Sequence, residues 1–298
     1  MTAPRRHPHR DLGVGLGLRA AHVDDLCASA PEVGWLELLA ENYLVDGGRP
    51  LETLERIGRR YPLVVHAVGL YVGSADGVDR AHLARVRALA DRVDARWVTD
   101  HLCWGAVDGR TSHDLLPLPY TREVVALCAD AIRAVQDTLG RPFAIENVSS
   151  YAQWRESTMT EWDFVAEVAE AADCGILLDV NNVYVSATNH GWEPRTYLAR
   201  LPAARIAQFH LAGHAPHDGY LIDTHDRAVA DPVWALYADA VARFGAAPTL
   251  LEWDADVPPL ATLLEEAARA RAIAATAIAA TATATAPAPA AGAYARAS

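Results

Sequence analysis

The stretch IAQFHLAGHAPHDGYLIDTHD, residues 206–226, joins an apolar run typical of a buried strand to a loop rich in histidine and aspartate. Four of the 12 histidines lie in it, and Asp223 and His225 are two residues apart. In an extended segment these two side chains project to the same face, where they could bind one ion or two neighbouring ions. Such a segment alone is more often a polar surface loop, so the rest of the chain must decide.

Seven further apolar runs resemble the one at 206–213. The eight runs are VGLGL (14–18), WLELLAE (35–41), LVVHAV (63–68), WVTDHL (97–102), PFAIEN (142–147), ILLDVNN (176–182), IAQFHLAG (206–213) and TLLEWD (249–254). Each stays nearly apolar until a polar residue near its C-terminal end, as strands buried on both faces do. Amphipathic helical segments such as 78–94 and 121–139 separate them. The eightfold alternation predicts an α/β protein with a (β/α)8 TIM barrel.

The 298-residue chain has the length of a single barrel. A doubly wound open sheet is the competing fold, but no GxGxxG motif follows a strand and opens a helix. We expect one domain over 13–271, preceded by an N-terminal extension, 1–12. The segment 272–298 is of low complexity and rich in Ala, Thr and Pro, which predicts a disordered tail whose start could extend the last helix.

Composition excludes several classes of function. The net charge of −12 argues against binding to a nucleic-acid backbone. No apolar run reaches the length of about 18 residues that predicts a membrane span, and the N-terminus lacks the apolar part of a signal peptide. We therefore expect a cytoplasmic protein without a membrane partner. All 26 basic residues are arginine, which excludes a Schiff-base lysine and a P-loop lysine. The four cysteines form no CxxC motif, which favours reduced, buried thiols.

The ionisable residues of the apolar runs collect where a barrel carries its active site, at the C-terminal ends of the strands. They are His66, His101, Glu146, Asp179, His210 and Glu252, with Asp223 and His225 on the loop after the seventh run. One core histidine is usually structural, but four histidines and four carboxylates are hard to explain as core. Without cations among them, the carboxylates would repel one another and their pKa values would rise.

The number of these groups exceeds the three or so protein ligands of a mononuclear catalytic site. A site of two or three metal ions is therefore the simplest interpretation. Nitrogen and oxygen ligands without sulfur leave iron, manganese and zinc open.

The ordered motifs resemble those of a known family. TDHLCW, AIENVSSY, LLDVNNVY, HLAGH, LIDTHD, DPVWALY and LLEWD are similar to those of the multinuclear non-heme iron-dependent oxidative enzymes, which include the methanobactin-biosynthesis oxidases and were long catalogued as uncharacterised bacterial proteins. The resemblance runs from about residue 13 to 254. It implies a barrel of the xylose-isomerase-like or endonuclease-IV-like type with two or three irons, mixed Fe2+ and Fe3+. It further implies that O2 is used to modify cysteine, or another residue, in a ribosomally made precursor peptide, usually with a partner protein that presents the peptide.

Residue by residue, the resemblance implies a metal-binding, catalytic role for the eight residues at the strand ends and the 223–225 loop. Asn182 would be a further ligand or would support one. The more distantly similar trinuclear zinc endonucleases carry histidine where Asn182 stands, and this departure favours an altered metal centre. His214 would orient a ligand, relay protons or contact substrate, whereas His217 fits a solvated loop.

Three polar residues beside the strand-end ligands have other expected roles. Asn42 and Asn147 follow carboxylates at strand ends, where lining the cavity and structural capping are both open. Asp100 should point away from its neighbour His101 on a strand and is not counted as a ligand.

Three functions from different classes follow. Oxidative peptide modification by iron is the leading hypothesis. A zinc or manganese hydrolase or sugar isomerase of the endonuclease-IV or xylose-isomerase type is the alternative, and the absence of lysine weighs slightly against an isomerase. A non-catalytic metal-dependent scaffold is the least favoured.

Overall fold

Eight short strands, buried along nearly their whole length, pair in parallel and close into a barrel in the computed structural model, which describes residues 12–285. In chain order they are β1 (Val14–Gly17), β2 (Leu36–Leu39), β3 (Leu63–His66), β4 (Val98–His101), β5 (Phe143–Glu146), β6 (Gly175–Asp179), β7 (Ile206–Leu211) and β8 (Thr249–Leu251). Each strand pairs with its neighbours in sequence, and β8 pairs with β1. The predicted (β/α)8 barrel is confirmed. Seven of the eight strands lie within their predicted runs, and β6 begins one residue before its run, at Gly175.

Helices connect the strands on the outside of the barrel. They are α1 (Val23–Ser29), α2 (Arg49–Gly58), α3 (Arg80–Arg92), α4 (Arg122–Leu139), α5 (Glu161–Ala172), α6 (Val180–His190), α7 (Pro194–Arg200), α8 (Asp231–Phe244) and α9 (Leu260–Thr285). Three 3-10 turns, Ala20–His22, Ala40–Tyr43 and Ala203–Arg205, complete the connections. No helix within 12–285 is long and apolar enough to cross a membrane.

The start of the predicted tail is helical. Helix α9 continues to Thr285, so residues 272–285 extend the last helix, as the sequence had left open for the start of the tail. Alanine has the highest helix propensity, and Ile273, Ala274 and Ala277 pack against the core, which explains why this segment is helical. Residues 1–11 of the predicted N-terminal extension and residues 286–298 of the predicted tail lie outside the described residues.

The barrel interior is apolar at one end and polar at the other. At the N-terminal end Trp35, Val64, Trp97 and Leu250 form a buried cluster. Gly15 is required there, because a Cβ at this position would lie 2.5 Å from the Trp35 indole. Side chains alternate along each strand, so the positions two residues further on also point inward and carry the polar groups.

Two small hairpins stand outside the barrel. The 104–116 hairpin pairs Trp104–Val107 with Arg110–Leu116, and the 215–222 hairpin pairs Ala215–His217 with Tyr220–Ile222. They follow β4 and β7, so both extend from the C-terminal end of the barrel. The four cysteines are free thiols and three are buried, as predicted.

Candidate metal centre

Glu146, the last residue of β5, lies at the centre of the histidines at the C-terminal end of the barrel. Its Oε2 is 3.6 Å from Nε2 of His66 and 3.5 Å from Nε2 of His101. Its Oε1 is 3.5 Å from Nδ1 of His210. The two oxygens of one carboxylate therefore face imidazoles from three other strands, as a carboxylate that bridges two metal ions would.

A second group shares Glu146 and adds Asp179, His210 and Glu252. Potential ligand atoms of these four buried residues lie within 4.8 Å of one another, as do those of His66, His101 and Glu146. Nδ1 of His210 is 3.1 Å from Oε2 of Glu252. Strand register produces this proximity, because pairing of β6 with β7 sets Asp179 level with His210.

The loop that follows β7 contributes the third group. Nε2 of His225 is 2.7 Å from Oδ1 of Asp223, and Nδ1 is 3.1 Å from Oδ2 of Asp254 and 3.5 Å from Oε2 of Glu252. His225 has a φ of 48°, a left-handed value that is uncommon for a residue other than glycine. Such backbone outliers concentrate at functional sites.

Several predicted ligands carry a buried polar atom without a hydrogen-bond partner among the described residues. These atoms are His101 Nδ1, Glu146 Oε2, Asp179 Oδ2, Asn182 Oδ1, His210 Nδ1 and His225 Nε2. The last of them is close to Asp223 but lacks hydrogen-bond geometry. Buried unpartnered atoms are costly and rare in native proteins. Imidazole nitrogen, carboxylate oxygen and amide oxygen all bind metal cations, so this donor set fits bound metal ions.

Burial and charge act in opposite directions on the imidazoles. Burial lowers the pKa of His101 to about 4, which leaves its ring neutral and able to bind metal at pH 7. Burial also opposes the charged form of His210, but the nearby carboxylates, Glu37 first among them, outweigh it and raise the pKa well above its usual value.

The pKa values of two carboxylates, Asp179 and Glu252, shift in opposite directions. Burial, together with repulsion by Glu146, raises the pKa of Asp179 well above its usual value. Burial acts in the same direction on Glu252, but His210 and His225 outweigh it and hold its pKa well below the usual value. The expected rise of carboxylate pKa values is therefore seen for Asp179 and not for Glu252. His210 and His225 act on both groups, but at Asp179 burial and repulsion by Glu146 and Asp223 outweigh them.

Asn147 forms hydrogen bonds with two predicted ligands, Asp179 and Asn182. Its side-chain amide donates to the backbone oxygen of Asp179 and accepts from the backbone nitrogen of Asp179, both at 3.0 Å. Nδ2 of Asn182 donates to the backbone oxygen of Asn147, also at 3.0 Å. Of the two roles left open by the sequence, these contacts fit the structural one.

Polar side chains also form hydrogen bonds with predicted ligands on other strands and loops. Oγ1 of Thr99 is 2.7 Å from Nδ1 of His66, so Nε2 of that ring faces Glu146. Nδ1 of His214 is 2.7 Å from Oδ1 of Asn181, whose amide nitrogen donates to Asp223 at 2.7 Å. His214 thus contacts Asp223 only through Asn181.

Asn42 is not among the residues that line the cavity. Strand β2 ends at Leu39, and the following 3-10 turn leaves Asn42 exposed. Its neighbour Glu41 lines the cavity instead. His217 is exposed, as expected for a solvated loop. Asp100 is buried and accepts a hydrogen bond of 2.8 Å from the backbone of Leu70, so it serves the loop after β3.

A cavity of about 960 Å³ opens above the ligands. Its wall carries a pair that the sequence did not reveal, Glu41 and His82, with Oε1 of Glu41 3.0 Å from Nε2 of His82. Oε1 and Oε2 of Glu41 also accept from the backbone nitrogen of Val68. Asp254, likewise missed, is ion-paired with Arg19 beside His225. Each pair joins residues from separate strand-helix units, so sequence spacing gave no signal for it.

The fold and the site define this protein as a TIM barrel with clustered histidine and carboxylate side chains at the C-terminal ends of its strands. Solved structures of the same fold include L-ribulose 3-epimerase, with a TM-score of 0.59, 15% identity and coverage of 92% of this chain and 98% of that chain. A xylose isomerase domain protein from Planctomyces limnophilus gives a TM-score of 0.58 at 13% identity, covering 90% and 99%. At these identities the likeness concerns the fold alone.

Sequence comparison identifies the family. The model of the RiPP precursor modification enzymes MbnB/TglH/ChrH matches residues 13–275. A UPF0276 protein of Anaeromyxobacter sp. (strain Fw109-5) is 53% identical over 261 residues, 88% of this chain and 92% of the relative. A UPF0276 protein of Caulobacter vibrioides is 49% identical over 255 residues, covering 85% and 91%. The chain belongs to the MbnB/TglH/ChrH family of RiPP precursor modification enzymes, which confirms the resemblance found in its motifs.

Proposed function

We propose that this protein is a multinuclear non-heme iron enzyme that uses O2 to modify a cysteine in a ribosomally synthesised precursor peptide. The observation that carries the proposal is the convergence of unpartnered buried nitrogen and oxygen atoms at the base of a cavity, in a chain of a peptide-modifying family. Iron, O2 and cysteine enter through the family resemblance. The donor set is compatible with iron.

The proposed ligands form three groups, two of which share Glu146. His66, His101 and Glu146 would hold one ion, and Glu146, Asp179, His210 and Glu252 would hold a second. Asp223 and His225 would hold a third, together with Asn182, which lines the same cavity. Bound irons in mixed Fe2+ and Fe3+ states would supply the redox chemistry toward the substrate thiolate and O2.

The residues of the chain would control geometry and protonation. His101 is neutral at pH 7, so its imidazole binds without first releasing a proton. Glu146 is 1% exposed, and this burial keeps water away from the carboxylate shared by two groups of ligands. Thr99, Asn147 and Asn181 hold the ligands in orientation by hydrogen bonds from behind, which reduces the reorganisation needed on binding.

The cavity suits a segment of peptide. Its volume of about 960 Å³ is at the upper end of the range of about 300–1,000 Å³ for ligand sites. Beyond the ligands its wall carries Glu41, Asp76, Asp79 and Asp114, and no arginine is among the described residues that line it. Complementary charge favours an uncharged or basic peptide segment here. We further propose, from the family resemblance, a partner protein that presents the peptide.

The test is incubation of iron-loaded protein, purified without air, with cysteine-containing RiPP precursor peptides, with and without O2. Mass spectrometry should detect a change of peptide mass that requires both iron and O2, and Glu146→Gln should abolish it. A mass change in the absence of O2 would contradict the oxidative mechanism.

The sulfur-free donor set is equally suited to zinc and manganese. A zinc or manganese hydrolase or sugar isomerase is therefore the second candidate function. Zinc-loaded protein that cleaves abasic DNA, or manganese-loaded protein that isomerises a sugar, would favour it over the oxidative enzyme.

A further inference from the structure

Glu37 lies below the proposed metal centre and is not among its proposed ligands. It is on the inward face of β2 and is 2% exposed. Its Oε1 is 3.1 Å from Nε2 of His210, and its Oε2 accepts a hydrogen bond of 2.7 Å from Gln208. A carboxylate is costly to bury, so its partners indicate what it does.

Trp97 fixes the orientation of the Gln208 amide. An indole nitrogen can only donate, and Nε1 of Trp97 donates to Oε1 of Gln208 at 2.7 Å. The amide nitrogen of Gln208 must therefore face the other way, where it is 2.7 Å from Oε2 of Glu37 and 2.8 Å from Nε2 of His210. These four residues are at most 2% exposed, so water does not compete for these contacts.

Two groups therefore compete to set the tautomer of His210. The amide of Gln208 donates, which would favour a lone pair on Nε2, whereas the carboxylate of Glu37 accepts, which favours a proton on Nε2. Oε1 of Glu37 is 3.1 Å from Nε2, an ion-pair distance. A carboxylate attracts a proton on this nitrogen more strongly than the neutral amide of Gln208 opposes it, so Glu37 prevails.

On the opposite side of the ring, Nδ1 is unpartnered and 3.1 Å from Oε2 of Glu252. We infer that Glu37 is a positioning residue, which keeps the proton of His210 on Nε2 and so presents Nδ1 to a metal ion. The inference rests on the proposed metal centre. Carboxylates behind metal-binding histidines act in this way in other metalloproteins.

Glu37→Gln tests the inference because glutamine has nearly the same size as glutamate but carries no charge. An amide has one acceptor oxygen where the carboxylate has two. If that oxygen faces Gln208, the new amide nitrogen faces Nε2 of His210 and favours the proton on Nδ1. If the amide flips, its nitrogen meets the amide nitrogen of Gln208.

The first experiment measures Fe(II) binding without air, by competition with a chelator, for wild type, Glu37→Gln and Glu161→Gln. Glu161 is a matched control, since it is a buried glutamate with two hydrogen-bond partners outside the site. We expect about 10–100-fold weaker binding for Glu37→Gln and wild-type binding for Glu161→Gln. Wild-type affinity in Glu37→Gln would overturn the inference, and a wild type that binds no metal would overturn the proposed centre with it.

The second experiment needs no variant. Nitrogen-15 NMR of histidine-labelled wild-type protein loaded with diamagnetic Zn(II) should find the His210 proton on Nε2. A proton on Nδ1 would overturn the inference.

Discussion

At the residue scale, Asn182 is the one proposed ligand that is neither an imidazole nor a carboxylate. Its Nδ2 donates a hydrogen bond to the backbone oxygen of Asn147, and its Oδ1 has no hydrogen-bond partner. An amide oxygen is a weaker zinc ligand than imidazole. The choice of asparagine at this position therefore bears on which metal is bound.

Asn182→His should shift the metal preference toward zinc. We expect zinc to bind on the order of tenfold more tightly, because imidazole nitrogen suits zinc better than amide oxygen. Competition between Fe(II) and Zn(II), with the bound metals measured by elemental analysis, checks this. Asn182→Ala is the control and should not gain zinc affinity; an equal gain in both variants would show that the amide is no ligand.

Glu161, at the start of α5 on the outside of the barrel, is a buried carboxylate with a raised pKa. It is 4% exposed and accepts hydrogen bonds from Tyr120 and Tyr197, yet burial raises its pKa to about 7. Because the pKa is raised in the folded state, the neutral form is favoured there. Its contribution to stability is complete below the unfolded pKa of about 4.3 and is lost as pH rises through about 7.

Glu161→Gln should remove this dependence. The unfolding free energy of wild type should fall relative to the variant between pH 4.5 and 8, by on the order of 3 kcal/mol, since one pKa unit corresponds to about 1.4 kcal/mol. Urea denaturation at a series of pH values measures the difference. A difference that does not change with pH would contradict the raised pKa.

At the element scale, the loop after β7 depends on Gly213. The backbone nitrogen of His225 donates to the oxygen of Gly213 at 3.0 Å, which folds the loop back onto the strand end. A Cβ at residue 213 would lie 2.2 Å from the backbone oxygen of Arg227. Only glycine permits so close a return of the chain.

Gly213→Ala should displace His225 and weaken metal binding. The barrel should persist, because the clash is confined to a loop at its end. We expect a circular dichroism spectrum like that of wild type and fewer ions bound per chain by elemental analysis. Gly47→Ala is a control, since a Cβ there meets no atom within 4 Å. A full complement of metal in Gly213→Ala would show that the loop adapts.

Sequence periodicity predicted the barrel strands well and the small elements poorly. The eight runs are apolar on both faces, which is a strong signal because each strand is covered by helices outside and by the barrel core inside. The 104–116 hairpin was not predicted, since its second strand, Arg110–Leu116, is mostly exposed and carries no apolar alternation. The last helix extends beyond the predicted domain because alanine favours helix without requiring burial.

The polar residues at the strand ends also indicated the proposed site, and strand parity could have indicated more of it. Glu37, Thr99 and Gln208 are polar residues at inward positions of apolar runs, two residues before or after other inward residues. This pattern was a usable signal. Which of them contact each other could not be predicted, because Trp97 and Gln208 are 111 residues apart and Gln208 and Glu37 are 171 apart.

At the scale of the whole molecule, the proposed ligands come from six of the eight strands and their following loops. Metal that binds the folded state alone would therefore link the barrel strands and stabilise the fold. At a free metal concentration 100 times Kd, the stabilisation from one site is about 2.7 kcal/mol.

Removal of metal should accordingly lower the melting temperature. Differential scanning calorimetry of metal-free and Fe(II)-loaded protein, handled without air, measures the change. Glu146→Gln should show a smaller increase on loading, since it removes the charge shared by two groups of ligands, while Glu161→Gln should respond like wild type. Equal increases in both variants would indicate metal bound elsewhere.

The central claim is that this barrel holds a multinuclear iron centre. The most direct test is elemental analysis with Mössbauer spectroscopy on protein purified without air from iron-supplemented cells. We predict two or three irons per chain, with fewer in His101→Ala and in Glu252→Ala. Stoichiometric zinc with little iron, or iron content unchanged in both variants, would contradict the claim.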